Sequence, residues 1–81
     1  MKIENRIFNI GDKVRHFKGK EYQIVCFAID SETLKDVVVY KALYDDKIYV
    51  RELKMFASPV DKNKYPKAEQ KYRFEVIKQE K

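Results

Sequence analysis

Residues 36–53 read DVVVYKALYDDKIYVREL, two runs rich in β-branched and aromatic residues on either side of an acidic pair. Runs of this composition separated by a short polar turn are typical of a β-hairpin. We predict strands over 36–44 and 47–53, with Asp45 and Asp46 forming the turn.

The segment before this hairpin predicts a second one. The run DKVRHF (12–17) is followed by Gly19 and then by EYQIVCFAI (21–29), which is apolar on both alternating faces. Strict alternation places Ile24 and Cys26 on one face and Phe27 on the other. A strand covered on both faces should be central in its sheet, and the polar stretch 30–36 should connect it to the next strand.

The segment after residue 53 breaks the alternation. The run LKMFASPV (53–60) predicts a short turn in which Leu53, Met55, Phe56 and Val60 plug the open end of a barrel. Pro59 excludes a regular interior strand at that point. We expect a single domain over 1–81, with a core over 7–60, a basic polar linker over 61–70 and a C-terminal strand over 71–78.

Four or five short antiparallel strands with tight turns in 81 residues predict an all-β fold. The best match is a small, strongly bent SH3-like barrel with a short plug turn. An OB-like barrel is the alternative, although it commonly needs a longer chain and a helix between strands.

Composition narrows the possible functions. The net charge of +5 is uneven: residues 1–20 hold six Lys or Arg against two acids, and residues 61–81 hold seven against four. Basic ends are compatible with affinity for nucleic acid, which depends on phosphate contacts.

One His, one Cys and scattered carboxylates lack the paired spacing of metal ligands, so we expect no metal and no cofactor. No signal sequence and no membrane-length apolar run are visible, which predicts a cytoplasmic protein without membrane contact.

Several blocks of this sequence resemble a family of small bacterial domains of unknown function. The blocks are RHFKGKEY (15–22), AIDSET (28–33), VVYKALY (38–44), VRELKMF (50–56) and PV (59–60). The blocks occur in the same order as in the family and span residues 11–60. The last twenty residues lie outside the resemblance. The sequence departs at Tyr49, where the family commonly has tryptophan, and at Glu52, where it commonly has proline. The resemblance implies a domain that occurs alone or attached to Nudix-type domains, and it implies no established activity.

The polar residues of these blocks suggest a site. The candidate ligand-binding residues are Arg15, His16, Lys18, Glu32, Thr33, Tyr44 and Arg51. Arginine forks match phosphate or carboxylate groups, and tyrosine rings can stack on bases or peptide side chains. The leading hypothesis is a non-catalytic module that recognises nucleic acid, a nucleotide or another anionic partner through a polar edge of the first hairpin.

Two alternatives stay open from the sequence. The first is a protein–protein interaction domain that uses Tyr44, Tyr49 and Phe56 as exposed aromatics. The second is a small hydrolase acting on a nucleotide, with His16 as general base and Glu32 orienting it. A lone histidine, with no reactive-looking cysteine and no phosphate-binding glycine loop, makes catalysis the weaker hypothesis, so no catalytic residue is assigned.

Overall fold

The computed structural model describes residues 1–77, which form seven strands and one short helix. Their bounds are β1 Lys2–Ile3, β2 Arg6–Ile7, β3 Lys13–His16, β4 Glu21–Ile29, β5 Asp36–Ala42, β6 Ile48–Glu52, α1 Leu53–Phe56 and β7 Phe74–Val76. The strands predicted over 12–17, 21–29, 36–44 and 47–53 are therefore confirmed, with slightly shorter ends. The prediction that the last strand extends to residue 78 concerns a position outside the described residues.

The main sheet has five antiparallel strands in the order β6-β5-β4-β3-β7. Strands β3 to β6 follow each other as a meander, and β7 returns after α1 to pair with β3. The five-stranded antiparallel sheet, with a single short helix in the described residues, confirms the predicted all-β fold. Strands β1 and β2 form a separate two-stranded hairpin, and β4 is central as predicted.

A β-bulge in β4 overturns the predicted alternation of that strand. Ile24 pairs with Tyr40, whereas Cys26 pairs with Val39 and Phe27 with Val38, so the register shifts at Val25. Because the bulge adds one residue, Ile24 and Phe27 both pack toward the core while Val25 is exposed. The bulge bends the sheet, as a barrel of this size requires.

The helix α1 plugs the core, as the break in alternation predicted. Phe56 is fully buried and stacks on Phe74 of β7 with 4.2 Å between ring centroids. Leu53 and Val60 are also buried, but Met55 lies half-exposed, which corrects its predicted place in the plug. The buried apolar residues of the core cluster are Phe8, Val14, Ile24, Val38, Tyr40, Leu53, Phe56, Ala57 and Phe74.

The segment 61–70 is tied to the sheet by specific contacts. The side chain of Gln70 donates hydrogen bonds from Nε2 to the carbonyl oxygens of Arg15 (2.8 Å) and Tyr72 (2.9 Å). The ring of Tyr65 packs on Phe17 with 4.9 Å between centroids. This segment therefore lies over the turn that follows β3.

In the part of the chain that the structure describes, no helix has the length and apolarity needed to span a bilayer.

Candidate functional site

A polar cleft of about 350 Å³ lies where the β3–β4 turn, β6 and the segment 60–73 meet. Its lining residues are His16, Phe17, Lys18, Arg51, Val60, Asp61, Lys64, Tyr65 and Arg73. Strand pairing explains part of this convergence, because His16 is opposite Phe74 in the β3–β7 ladder. The Arg51 guanidinium carbon lies 5.7 Å from the centroid of the same Phe74 ring. Phe74 thus forms the floor on which both polar side chains rest.

The ring of His16 is held in one orientation and one tautomer. Its Nδ1 accepts a hydrogen bond from the Lys18 backbone N–H at 3.1 Å, so the proton of the neutral ring is on Nε2. The ring stacks on Phe17 at 4.5 Å and meets Phe74 edge-on at 4.9 Å. The turn itself is closed by a bond from the Gly19 N–H to the His16 carbonyl, and Gly19 has a φ of 106°, which favours glycine.

Burial lowers the pKa of His16 from 6.5 to about 4, and the positive charges of Arg51, Lys18 and Arg73 act in the same direction. His16 is therefore neutral at pH 7. A neutral ring whose Nδ1 is already occupied offers a single Nε2–H donor to the cleft and no basic nitrogen.

Four cationic side chains line the same cleft as His16: Lys18, Arg51, Lys64 and Arg73. The Nε of Arg51 donates to the hydroxyl of Tyr40 at 3.2 Å, which orients the guanidinium and leaves both Nη groups available. The Nε of Arg73 is buried with no hydrogen-bond partner among residues 1–77. The ion pairs found within the described residues, Arg15–Glu21 and Lys35–Glu52, both lie outside the cleft.

Asp61 is the single acidic residue that lines the cleft. Its Oδ1 accepts hydrogen bonds from the backbone N–H groups of Asn63 (3.0 Å) and Lys64 (3.4 Å). The carboxylate is thus occupied by its own turn rather than by one of the cations. The cleft therefore presents an excess of positive charge and hydrogen-bond donors, an arrangement suited to an anion.

Of the residues predicted for the site, the structure brings His16, Lys18 and Arg51 together in the cleft. Arg15 points to the other side of β3 and pairs with Glu21, with 3.3 Å between Nη2 and Oε2. Tyr44 lies in the β5–β6 turn, beside Tyr22 and under Lys20, and does not line the cleft.

Glu32 and Thr33 lie in the β4–β5 turn, which is at the opposite end of β4 from the turn that carries His16 and Lys18. The Asp30 Oδ1 accepts hydrogen bonds from the backbone N–H groups of Glu32 (2.9 Å) and Thr33 (3.2 Å). These bonds lower the pKa of Asp30. The serine-glutamate-threonine block therefore builds a turn, and the hypothetical pair of His16 with Glu32 is not formed.

A second aromatic group lies across Phe74 from His16. The Tyr22 ring contacts Phe74 at 5.6 Å and Tyr44 at 5.9 Å between centroids, and the hydroxyls of Tyr22 and Tyr44 are 3.5 Å apart. Tyr44 and Tyr49 are 50% and 38% exposed, as expected for available aromatics, whereas Phe56 is 0% exposed. The expectation that Phe56 is a surface aromatic is wrong, because Phe56 is the last residue of α1 and its ring packs in the core.

Sequence reasoning missed Lys64, Tyr65 and Arg73. Simple alternation in KYRFEV assigns Arg73 to the solvent side of the last strand, but the segment 60–65 folds over that side. Lys64 and Tyr65 belong to a polar stretch with no periodicity. The one available signal was an aromatic residue and a proline, Tyr65 and Pro66, within an otherwise charged run.

The described residues form a small, nearly all-β domain with a cationic cleft over its core. The chain belongs to the family described as "Protein of unknown function (DUF1653)", whose match covers residues 12–76. The match therefore extends beyond residue 60, where the sequence resemblance ended, and includes β7 and every residue of the cleft. Comparison with curated proteins and with solved structures gave no significant match. No group of three or more His, Cys, Asp or Glu side chains within residues 1–77 is placed to hold a metal ion.

Proposed function

We propose that this protein is a non-catalytic binding module that takes a phosphate-bearing ligand in the cleft around His16. The observation that carries the proposal is the convergence of Lys18, Arg51, Lys64 and Arg73 on one neutral histidine, with no ion pair among these residues and the rest of the described chain. Four cations beside the single carboxylate of Asp61 leave an excess of positive charge that is unfavourable, and a phosphate group would balance it.

The donors in the cleft suit the geometry of a phosphate group. The free Nη groups of Arg51 can bind two oxygens at once, and Tyr40 fixes the plane of that guanidinium. The neutral His16 ring, which lines the cleft, carries a further donor at Nε2–H, and the ammonium groups of Lys18 and Lys64 add two point charges.

The same geometry argues against hydrolysis. A general base needs an unprotonated nitrogen within reach of the substrate, but His16 uses its Nδ1 to accept the Lys18 N–H. Glu32, the residue expected to orient His16, lies at the far end of β4. Protein–protein interaction through Tyr44 and Tyr49 stays a prediction, as do the cytoplasmic location, the bacterial source and the attachment to Nudix-type domains.

The test is a titration of isotope-labelled protein with inorganic pyrophosphate at pH 7 and low salt, followed by NMR. We expect shifts of the His16 ring and of the Arg51 Nε–H signal. Because a charge-assisted hydrogen bond contributes about 1.5–3 kcal/mol, Arg51→Gln should weaken binding by roughly 10- to 100-fold. Arg15→Gln is the matched control, since it removes the same charge from the opposite side of β3.

Lys64→Gln provides an independent variant at the rim of the cleft, should Arg51→Gln disturb the Tyr40 contact. Equal affinity of the Arg51, Lys64 and Arg15 variants would place the anion elsewhere and overturn the proposal. Absence of any shift at His16 at millimolar pyrophosphate would do the same.

A further inference from the structure

An apolar surface adjoins the cationic cleft. A shallow depression of about 390 Å³ is lined by Phe17, Lys18, Lys64, Tyr65, Pro66, Lys67 and Ala68. Four of these residues, Phe17, Lys18, Lys64 and Tyr65, also line the cleft. The two depressions therefore share a wall, and a ligand with one charged group and one flat apolar group could occupy both.

The two residues that carry the rings on this surface are held by backbone hydrogen bonds, and lysine ammonium groups lie near both rings. Phe17 donates its backbone N–H to the Arg73 carbonyl at 3.0 Å, and Tyr65 donates its own to the Asp61 carbonyl at 2.8 Å. The Lys18 Nζ lies 5.9 Å from the Phe17 ring centroid and 5.4 Å from that of Tyr65. The Lys64 Nζ lies 5.6 Å from the Tyr65 centroid. Aromatic faces with ammonium groups at their edges are the pattern that stacks bases while holding their phosphates.

A second group of rings is connected to His16 through the buried ring of Phe74. The His16 ring contacts Phe17 on one side and Phe74 on the other, and Phe74 contacts Tyr22, which contacts Tyr44. The Nζ of Lys20 lies 4.0 Å from the Tyr44 ring centroid. A continuous set of ring contacts therefore joins Tyr65 and His16 to Tyr44, with the buried Phe74 ring as the link between the two groups.

From this arrangement we propose that the ligand of the cleft is single-stranded nucleic acid, with a phosphate at Arg51, Arg73 and His16 and the neighbouring base on Phe17 and Tyr65. This inference rests on the proposed phosphate-binding function. A double helix keeps its bases stacked inside, so the half-buried rings of Phe17 and Tyr65 beside a phosphate site favour unpaired bases. The second group of rings at Tyr22 and Tyr44 favours a strand of several nucleotides over one nucleotide.

The proposal is tested with fluorescein-labelled decathymidylate, measured by fluorescence anisotropy between about 50 and 200 mM salt. We expect tighter binding to this strand than to thymidine monophosphate or to a duplex of the same length. Base stacking on an aromatic residue commonly changes affinity by roughly 5- to 100-fold. Tyr65→Ala should therefore weaken strand binding by that factor and should weaken pyrophosphate binding by a smaller factor, because Tyr65 lines the cleft but supplies no charge to it.

Leu34→Ala is the control for loss of an exposed apolar side chain, because Leu34 is 76% exposed in the turn at the far end of β4. It should bind the strand as the wild type does. Lys64→Gln should make the dependence of log K on log salt shallower by about 0.7, the amount for one phosphate contact on a single strand.

The outcomes separate the two proposals. If pyrophosphate binds but decathymidylate binds no tighter than thymidine monophosphate, the single-strand inference is overturned and the phosphate site stands. Equal binding of duplex and single strand, or wild-type strand affinity in Tyr65→Ala, would also overturn the inference. If neither pyrophosphate nor the strand binds, both proposals fail.

Discussion

At the scale of single residues, His16 shows how the environment fixes the chemistry of a side chain. Exposed histidines titrate near pH 6.5, but burial and the surrounding cations lower the pKa of His16 to about 4. The charged groups facing it are Lys18 from its own turn, Arg51 from β6, and Lys64 and Arg73 from the segment that covers the cleft, with Asp61 as the acid. The ring is thereby kept as a neutral donor over the whole physiological range.

A pH dependence of stability follows from this shift. Because the pKa is about 4 in the folded protein and 6.5 in the unfolded chain, the unfolded chain binds the proton first as the pH falls. The contribution of His16 is complete above pH 6.5 and is lost progressively between pH 6.5 and 4. After allowance for the partial exposure of the ring and screening by solvent, we expect a loss of about 1–2 kcal/mol in the free energy of unfolding.

Urea denaturation between pH 7.5 and 5 measures this loss. Most carboxyl groups titrate below pH 5, so their protonation contributes little to the change in this range. His16→Asn is the matched variant, because the asparagine carbonyl can accept the Lys18 N–H in place of Nδ1 but does not titrate. The variant should have a flatter profile over this range. Identical slopes for the two proteins would contradict the shifted pKa.

At the scale of elements, the β4–β5 turn holds one residue in an unfavourable conformation. Leu34 has a φ of 61°, in the left-handed region that costs most residues about 1–2 kcal/mol. Its backbone N–H donates to the Asp30 carbonyl at 2.7 Å, and its side chain is largely exposed. The turn geometry therefore imposes the strained conformation, and side-chain packing does little to compensate.

We expect Leu34→Asn to raise the free energy of unfolding by about 0.5–1 kcal/mol, since asparagine tolerates the left-handed region. Urea denaturation monitored by tyrosine fluorescence measures the change. Ser31→Asn is the control in the same turn, because Ser31 has an ordinary negative φ, and it should change the stability little. A Leu34→Asn protein less stable than the wild type would show that Leu34 packs usefully in solution.

The elements also show what the sequence could predict. The strands were predictable because β-branched residues and polar turns mark them locally. The bulge at Val25 was not, because it depends on which residues of β5 pair with β4. In the same way His16, Lys18 and Arg51 follow from local patterns, whereas Lys64, Tyr65 and Arg73 join them only when the segment 60–73 folds over the β3–β4 turn.

At the scale of the whole molecule, the cleft draws on parts of the chain that are far apart in sequence and meet only in the finished fold. Arg73 lies directly before β7 and donates its backbone N–H to the Ser58 carbonyl at 2.9 Å, so its position is fixed by the closure of the sheet. Its Nε is buried without a partner in the described chain, next to other cations. A binding site of this kind should reduce the stability of the unliganded protein.

Arg73→Met should therefore make the unliganded protein more stable while weakening pyrophosphate binding. Methionine keeps the apolar stem but removes the buried donor and its charge, and leaving such a donor unsatisfied costs about 1–3 kcal/mol. We expect a gain of about 1 kcal/mol in the free energy of unfolding, measured by urea denaturation in phosphate-free buffer. In the presence of pyrophosphate the wild type should regain stability by linkage to binding, and the variant should gain less.

Arg15→Met is the control, since Arg15 is exposed and its pair with Glu21 contributes at most about 1 kcal/mol. That variant should gain no stability and should bind pyrophosphate as the wild type does. If Arg73→Met were instead destabilised while Arg15→Met was unchanged, Arg73 would be satisfied in the folded protein by water or by a rearranged partner. In that case the positive charge of the cleft would not lower the free energy of unfolding. The proposal that an anion binds in the cleft would then depend on the binding measurements alone.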